Sequence, residues 1–205
     1  MKFSIIIPAH NAEEHIRKAL DSIKSQTFTD YELIVMCDSC TDNTAKIARK
    51  YGAIVEEVEY HCDGPTRNRG IELATGDWVL FMDDDDWWLH EYVLEMLADH
   101  LHDGMDILCF SFIFRHLGYA APIRKCNRQH WIACWCKCYR RTAIGPARFS
   151  NVTDGSADVA FYQGMFGRNL RVYHWDMPLY YYNYWREDSI SEKKTTDFRG
   201  CKGLL

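Results

Sequence analysis

The stretch Gly76-Asp77-Trp78-Val79-Leu80-Phe81-Met82-Asp83-Asp84-Asp85-Asp86-Trp87-Trp88 decides how the chain is read. A Gly-Asp turn leads into an apolar run, Trp78 to Met82, that is short, β-branched and aromatic, so it predicts a buried strand. The run stops at four consecutive carboxylates. These lie just past the strand's carboxyl end, the edge at which an open α/β sheet binds ligands. Four adjacent acidic groups repel one another unless a cation is shared among them. A hard divalent ion such as Mg2+ or Mn2+, held by few protein oxygens and completed by substrate phosphates, suits this donor set. The alternative is an acidic surface turn with Asp86 as N-cap of the following helix.

Upstream, Phe3 to Ile7 predicts a first strand, ending in the turn Pro8-Ala9-His10-Asn11, where Asn11 is placed to cap a helix. Ile16, Ala19, Leu20 and Ile23 recur at i, i+3, i+4 and i+7, one apolar helical stripe. Leu33 to Met36 predicts a second strand, followed by the polar loop Cys37-Asp38-Ser39-Cys40-Thr41-Asp42. A helix through Ala45, Ile47, Ala48 and Tyr51 ends at Gly52. Ala53 to Val58 predicts a third strand, and Pro65 the first position of a helix over Thr66 to Ala74. Leu94, Leu97, Ala98 and Leu101 mark the helix after the acidic run. Strands thus alternate with helices four times, which predicts a mostly parallel, Rossmann-like sheet flanked by helices. Right-handed crossovers bring successive carboxyl ends to one edge. Pro8 to Asn11, Asp38 and Asp83 to Asp86 are therefore expected to share one cleft.

Downstream of Asp106 the pattern changes to mixed strands. Ile107 to Phe114 and Trp135 to Tyr139 read as strands, Val159 to Phe166 as a helix introduced by Ser156-Ala157-Asp158, and Leu170 to Trp175 and Leu179 to Trp185 as late strands. No repeat or linker interrupts the chain. The expectation is one domain over residues 1–205: a half of about residues 1–105 at the acidic loop, a half of about 106–190 supplying a second substrate's site, and a tail over 191–205.

The 205 residues suffice for one sizeable α/β core. A net charge of -5 argues against nucleic acid as a partner. No apolar run approaches the ~20 residues that span a bilayer, and the start reads as a strand rather than a signal peptide. A cytoplasmic protein is expected, with peripheral association at the inner face of a membrane left open. The nine cysteines do not fit a disulfide framework in a chain of this length. Cys37-x-x-Cys40 leaves a redox pair or half a zinc site open. Cys134-x-Cys136-x-Cys138 has period two, which sets Cys136 on the opposite strand face and is poor for chelation. Reduced structural thiols are expected.

Taken jointly, the motifs resemble family 2 glycosyltransferases of the inverting, GT-A-fold type, over about residues 3 to 190. Ser4 to Asn11 resembles the family's first strand and P-x-Y-N turn, with His10 for Tyr. Cys37 to Asp42 resembles D-D-G-S-T-D, with Cys37, Ser39 and Cys40 departing from it. Arg67-Asn68-Arg69-Gly70 resembles A-R-N-x-G, and Phe81 to Trp87 the F-L-D-x-D-D-W segment that holds the DxD motif. Trp135-x-Lys137-x-Tyr139-Arg140-Arg141 resembles W-x-K-x-Y-R-R, and Tyr180 to Ile190 the closing Y-Y-Y-x-x-R-x-x-S-I segment. The order and spacing of the pieces carry the resemblance.

The resemblance implies a nucleotide-diphospho-sugar donor, UDP-linked in the family's commonest form, a glycan, lipid-linked or other acceptor, and Mn2+ or Mg2+. Pro8, Ala9, His10 and Asn11 would hold the nucleotide, Asp38 the base, Arg67 the space beside the base, Asp83 the ribose, Asp84 the sugar or ribose, and Asp85 the metal. Asp86 is either a supporting partner or a cap. The family's E-D pair reads Ala157-Asp158 here, so Asp158 is the implied base and Asp154 the runner-up. Trp131, Trp135 and Tyr180-Tyr181-Tyr182 are candidates for stacking on the acceptor, Arg186 for closing over the diphosphate, and His174 for an added metal ligand. Each has a plain structural alternative: a core aromatic, a surface ion pair, a packed histidine. A nucleotidyltransferase is disfavoured because the first loop lacks glycines and lysine. A degenerate sugar-nucleotide or carbohydrate-binding module is kept open by Cys37, Ser39, Cys40 and Ala157.

Overall fold

The computed structural model describes residues 1–116, 119–120, 123–124, 126, 133–152, 157–165 and 168–183. Strand β1 (Phe3–Ala9) is buried along its whole length. It lies between β2 (Tyr31–Asp38) and β4 (Trp78–Phe81), parallel to both, and β3 (Ile54–Val58) extends β2 in parallel. The resulting 3-2-1-4 order is a doubly wound half-sheet. Helices α1 (Ile16–Lys24), α2 (Thr44–Lys50) and α3 (Asp63–Leu73) make the crossovers. The expected stripe of α1, Ile16, Ala19, Leu20 and Ile23, is fully buried. Gly52 follows α2 at φ +78°, the left-handed conformation that a glycine adopts without steric cost. At Gly70 a Cβ would come within 2.4 Å of Ile6 Cγ2. The missing side chain lets α3 press onto β1.

Beyond β4 the sheet becomes mixed. Strand β8 (Lys137–Arg140) pairs antiparallel with β4 and with β6 (Ile107–His116). Strand β9 (Val172–Tyr182) runs parallel to β6, and β5 (Trp87–Trp88) closes antiparallel on β9. The remaining elements are α4 (Val93–His100), the short β7 (Tyr119–Ala120) paired with β6, α5 (Arg141–Ile144) and α6 (Ala157–Met165). Among the described residues no helix is long and apolar enough to cross a membrane.

Several local expectations are corrected. The two late strands are one, β9. Its ladder to β6 shifts register between Phe110, which pairs with Trp175, and Ser111, which pairs with Pro178. Proline has no N–H for the ladder, so the strand bulges there and continues. Pro65 is the third residue of α3, because the helix begins at Asp63. Asn11 caps no helix: α1 starts at Ile16. Asp86 caps none either, since β5 intervenes before α4. Strand β8 starts at Lys137, so Cys134 and Cys136 lie before it and the period-two argument fails for them. The eight described cysteines are free thiols, as expected, and Cys136 Sγ lies 3.4 Å from Cys126 Sγ. The tail after 190 lies outside the described residues.

One carboxylate ties the amino ends of the parallel strands. Glu32 accepts from Lys2 Nζ (2.7 Å), Ser4 Oγ (2.5 Å), Thr75 N (2.6 Å), Thr75 Oγ1 (2.7 Å) and Gly76 N (3.2 Å). Burial alone would raise its pKa; these bonds outweigh burial and hold it at about 2 instead of 4.5. A depressed folded-state pKa stabilises the fold above the unfolded value, and that contribution is lost as pH falls. The melting temperature of the wild type should therefore drop between pH 4.5 and about 2 by more than that of Glu32→Gln. The variant should be the less stable of the two at neutral pH. Thermal melts across that window check it.

Candidate active site

Three loops meet at the carboxyl ends of β1, β2 and β4, as the topology requires. The first two are knitted together through Asn11. Its φ is +48°, and its Oδ1 accepts from Thr41 N at 2.8 Å and from Thr41 Oγ1 at 3.3 Å. Its N–H points at Cys40 Sγ, 3.4 Å away. His10 donates Nδ1–H to the Asp38 carbonyl at 2.7 Å, and its backbone N–H to Asp84 Oδ2 at 3.4 Å. Pro8 and Ala9 are the last residues of β1, buried and paired with Met36 and Cys37.

Asp38 is 6% exposed. Oδ1 accepts from Tyr60 N (2.8 Å), His61 N (2.9 Å) and Ser39 Oγ (3.0 Å), and Oδ2 from Cys62 N (2.9 Å) and Thr66 Oγ1 (3.0 Å). Burial opposes its ionisation, but the His61 and Cys62 N–H groups and the two hydroxyls hold its pKa below the ordinary carboxylate value. With five donors satisfied from within the chain, this carboxylate organises the loop from β3 into α3. Ser39 stands where the resembling motif has glycine and holds the same left-handed backbone, φ +53°.

The acidic loop is held by partners from several distant segments. Asp83 Oδ1 accepts from Arg67 Nη2 at 2.8 Å. Asp84 Oδ1 accepts from His15 Nε2 at 3.2 Å. Asp85 lines a surface groove with Glu14, His15, Lys18, Trp87 and Asn183. Asp86 is fully buried. It accepts from Tyr180 Oη at 2.6 Å and from Asn183 N at 2.7 Å, while Tyr180 Oη accepts from Asp83 N at 3.2 Å. Burial, with Asp83 and Asp85 beside it, pushes the Asp86 pKa well up. Of its two expected roles, supporting partner or cap, the structure shows the first: it fastens the loop to β9. Among the described residues no three His, Cys, Asp or Glu side chains converge as a ready metal cage. The donor set nonetheless fits a hard cation held by one or two carboxylates, because Asp84 and Asp85 are adjacent half-buried carboxylates on one loop.

Arg67 joins this loop to the second half of the chain. It is 8% exposed, pairs with Asp83, lies 3.6 Å from Asp63 Oδ2, and sits 5.7 Å from the Phe149 ring centroid. Its Nε is buried without a hydrogen-bond partner among the described residues. Asp158, in the first turn of α6, accepts from Cys134 N at 3.1 Å. Burial raises the Asp158 pKa; Arg67 and the Cys134 N–H pull against it, and the net shift is upward. Asp83 is likewise raised, by burial first, with Arg67 opposing and Asp158 adding. One guanidinium therefore opposes the upward shift of an acidic-loop carboxylate and of the α6 carboxylate.

Other expectations meet a different outcome. Trp135 is 8% exposed, stacked against Tyr180 (5.1 Å) and Tyr182 (4.6 Å), with Phe112 edge-on at 4.7 Å. It packs as a core ring. The tyrosine run is split by strand alternation: Tyr181 stacks instead on Trp87 at 4.0 Å, with Lys18 Nζ 3.1 Å from the Trp87 centroid. His174 Nδ1 is engaged by the Cys126 carbonyl at 3.1 Å. Trp131, Asp154 and Arg186 lie outside the described residues. Sequence reading missed His15, Thr66 and the Tyr180 hydroxyl as holders of the site. Each acts across 28 to 94 positions, so no local pattern marks it.

The comparisons agree with this architecture. EpsH of Bacillus subtilis is 28% identical over 207 residues, covering 87% of this chain and 60% of its own length. The poly(ribitol-phosphate) beta-N-acetylglucosaminyltransferase TarS of Staphylococcus aureus is 39% identical over 95 residues, which is 42% of this chain and 17% of TarS. The crystal structure of TarS residues 1-349 in complex with UDP superposes with a TM-score of 0.75 at 25% identity, over 89% of this chain and 60% of that one. In fold alone, the mannosyltransferase PcManGT of Pyrobaculum calidifontis, solved with GDP-Man and Mn2+, matches at TM-score 0.70 and 16% identity, over 91% of this chain and 58% of that one. The chain thus spans 60% or less of the length of these relatives. The family model described as glycosyl transferase family 2 matches residues 4–144, well over half of the sequence, and the chain belongs to that family.

Proposed function

We propose that this chain transfers a sugar, with inversion, from a UDP-linked donor to a hydroxyl of a glycan or lipid-linked acceptor. The observation that carries the reading is Arg67, which pairs with Asp83 of the acidic loop at 2.8 Å and whose charge also pulls down the raised pKa of Asp158 on α6. It brings the proposed base beside the donor loop. The TarS complex supports uridine diphosphate as the nucleotide. The reading places the chain in the cytoplasm, at the inner face of a membrane where the acceptor is lipid-linked.

The first two loops and Asp83 and Asp84 bind the nucleotide and ribose, with Asp38 shaping the loop beneath the base. Asp85 would hold Mn2+ or Mg2+, which supplies charge compensation to the departing diphosphate. Asp158 takes the acceptor proton, and its raised pKa makes it the stronger base for that step. Arg67 keeps two carboxylates from repelling each other across the site.

Asp85→Ala should abolish the metal-dependent thermal shift given by UDP-sugars with Mn2+. Asp158→Asn should keep that shift and lose about 10²- to 10⁴-fold in transfer rate. Transfer by Asp158→Asn at the wild-type rate would exclude it as the base. Asp158 must be ionised to act, and its pKa is raised, so activity should fall as pH drops through a value above the ~4 of a free aspartate. A pH–rate profile reads that limb directly.

A further inference from the structure

We propose that Lys137 is a positioning residue for Asp158: its ammonium grips one end of the peptide group between Ala133 and Cys134, whose other end holds the carboxylate. That this carboxylate is the base rests on the transfer reading above; the grip itself does not.

Lys137 opens β8 and is 2% exposed, an uncommon place for an ammonium. Strand alternation sets it on the same face as Tyr139, whose ring meets Phe161 of α6 edge-on at 5.5 Å. That is the side on which the helix carrying Asp158 packs. Lys137 Nζ turns back to donate to the Ala133 carbonyl, and it lies 3.6 Å from Cys136 Sγ. The Cys136 thiol approaches the same carbonyl at 3.6 Å. The N–H of that peptide group, on Cys134, donates to Asp158 Oδ2 at 3.1 Å. A trans peptide sets its C=O and N–H on opposite sides of the C–N bond. The ammonium therefore stands at the negative end of the peptide dipole and the carboxylate at its positive end. A cation on the carbonyl oxygen also draws charge from the nitrogen through amide resonance, which makes the N–H a stronger donor. Trp135, next in the turn, is pinned by its stacking on Tyr180 and Tyr182, so the N–H keeps its aim.

The groups that act on the Asp158 carboxylate come from four elements. They are Arg67 of α3, Cys134 in the turn, Lys137 and Tyr139 of β8, and Asp83 of the acidic loop. Burial raises the Asp158 pKa, and Arg67, the Cys134 N–H and Lys137 oppose it in that order. Around Lys137 stand Cys136, Cys126, Cys109 and Cys134, with Tyr162 of α6. Burial works against the ammonium and the thiols work for it, so its pKa stays above the ordinary lysine value and it is charged at neutral pH. Without that charge, burial of Asp158 is less opposed. Its pKa then climbs further, and it is ionised over a narrower range on the acid side.

The full chain, labelled with carbon-13 at the aspartate carboxyls, is titrated by NMR, with Asp158 identified by the resonance that Asp158→Asn lacks. In Lys137→Met the Asp158 pKa should rise by about one unit, the low end for a single opposite charge near a carboxylate. Lys137→Arg, which keeps the charge, should give back most of that shift. The acid limb of the pH–rate profile of Lys137→Met should move up equally, with the donor KM unchanged. A lysine that only closes the turn would lower rate or stability and move no pKa. An Asp158 pKa in Lys137→Met equal to that of the wild type therefore overturns the proposal. Should that variant not fold, the wild type decides. The Cys134 amide proton and the Lys137 Nζ nitrogen should both shift with the midpoint of Asp158, and an Nζ that does not follow overturns the grip. A pKa that moves without the limb sinks Asp158 as the base and leaves the grip standing.

Discussion

The buried contact between Arg67 and Asp83 is the constraint on which the site depends. It joins α3, which belongs to the first crossover half, to the acidic loop that ends β4. Through Phe149 and Asp158 it reaches the second half as well. A guanidinium this desolvated is tolerable only with carboxylates around it. Removing one partner of such a pair typically costs about 3–5 kcal/mol, because the other charge is left buried. Gly70 sets the geometry from behind, since α3 can press onto Ile6 only without a Cβ at that position.

Two other carboxylates work at opposite ends of the same strands. Glu32 gathers the amino ends of β1 and β2 and the turn into β4, where no ligand is proposed. Asp38 gathers the loop from β3 into α3 at the carboxyl ends. Both are held ionised by donors from distant segments, against the pull of burial. The loop from β3 into α3 is therefore positioned by a fixed charge rather than by apolar packing. Asp86 does the same for the acidic loop from the β9 side, but from a fully buried position in which its ionisation is disfavoured.

The parallel half was legible because its signals are local. The period of Ile16, Ala19, Leu20 and Ile23, the apolar runs of β1, β2 and β4, and Gly52 after α2 each act within a few residues. Chirality of the crossovers then forces the three loops to one edge. The resemblance added Asp158 at a place where spacing alone names no base. The errors share one cause as well. Asn11 and Asp86 both look like caps in sequence, and both spend their hydrogen bonds on segments far away. In sequence Trp135 is a candidate for stacking on an acceptor, with a core ring as the alternative, and Tyr180 and Tyr182 stack on it from more than forty positions on. Leu170 to Trp175 and Leu179 to Trp185 read as two strands, but a bulge against β6 joins them into β9.

The sequence by itself determined the order of strands and helices, the edge of the sheet on which the carboxylates stand, and the motif set that marks the family. Those properties follow from side-chain periodicity, turn chemistry and handedness, which operate over short stretches of chain. Only the tertiary structure decided which carboxylate serves which purpose. Asp38 became a loop organiser, Asp86 an anchor to β9, and Asp83 the partner of Arg67, while Asp84 pairs with His15 and Asp85 lines a surface groove. Identical side chains in a row are distinguished by desolvation and by the donors that long-range folding places against them.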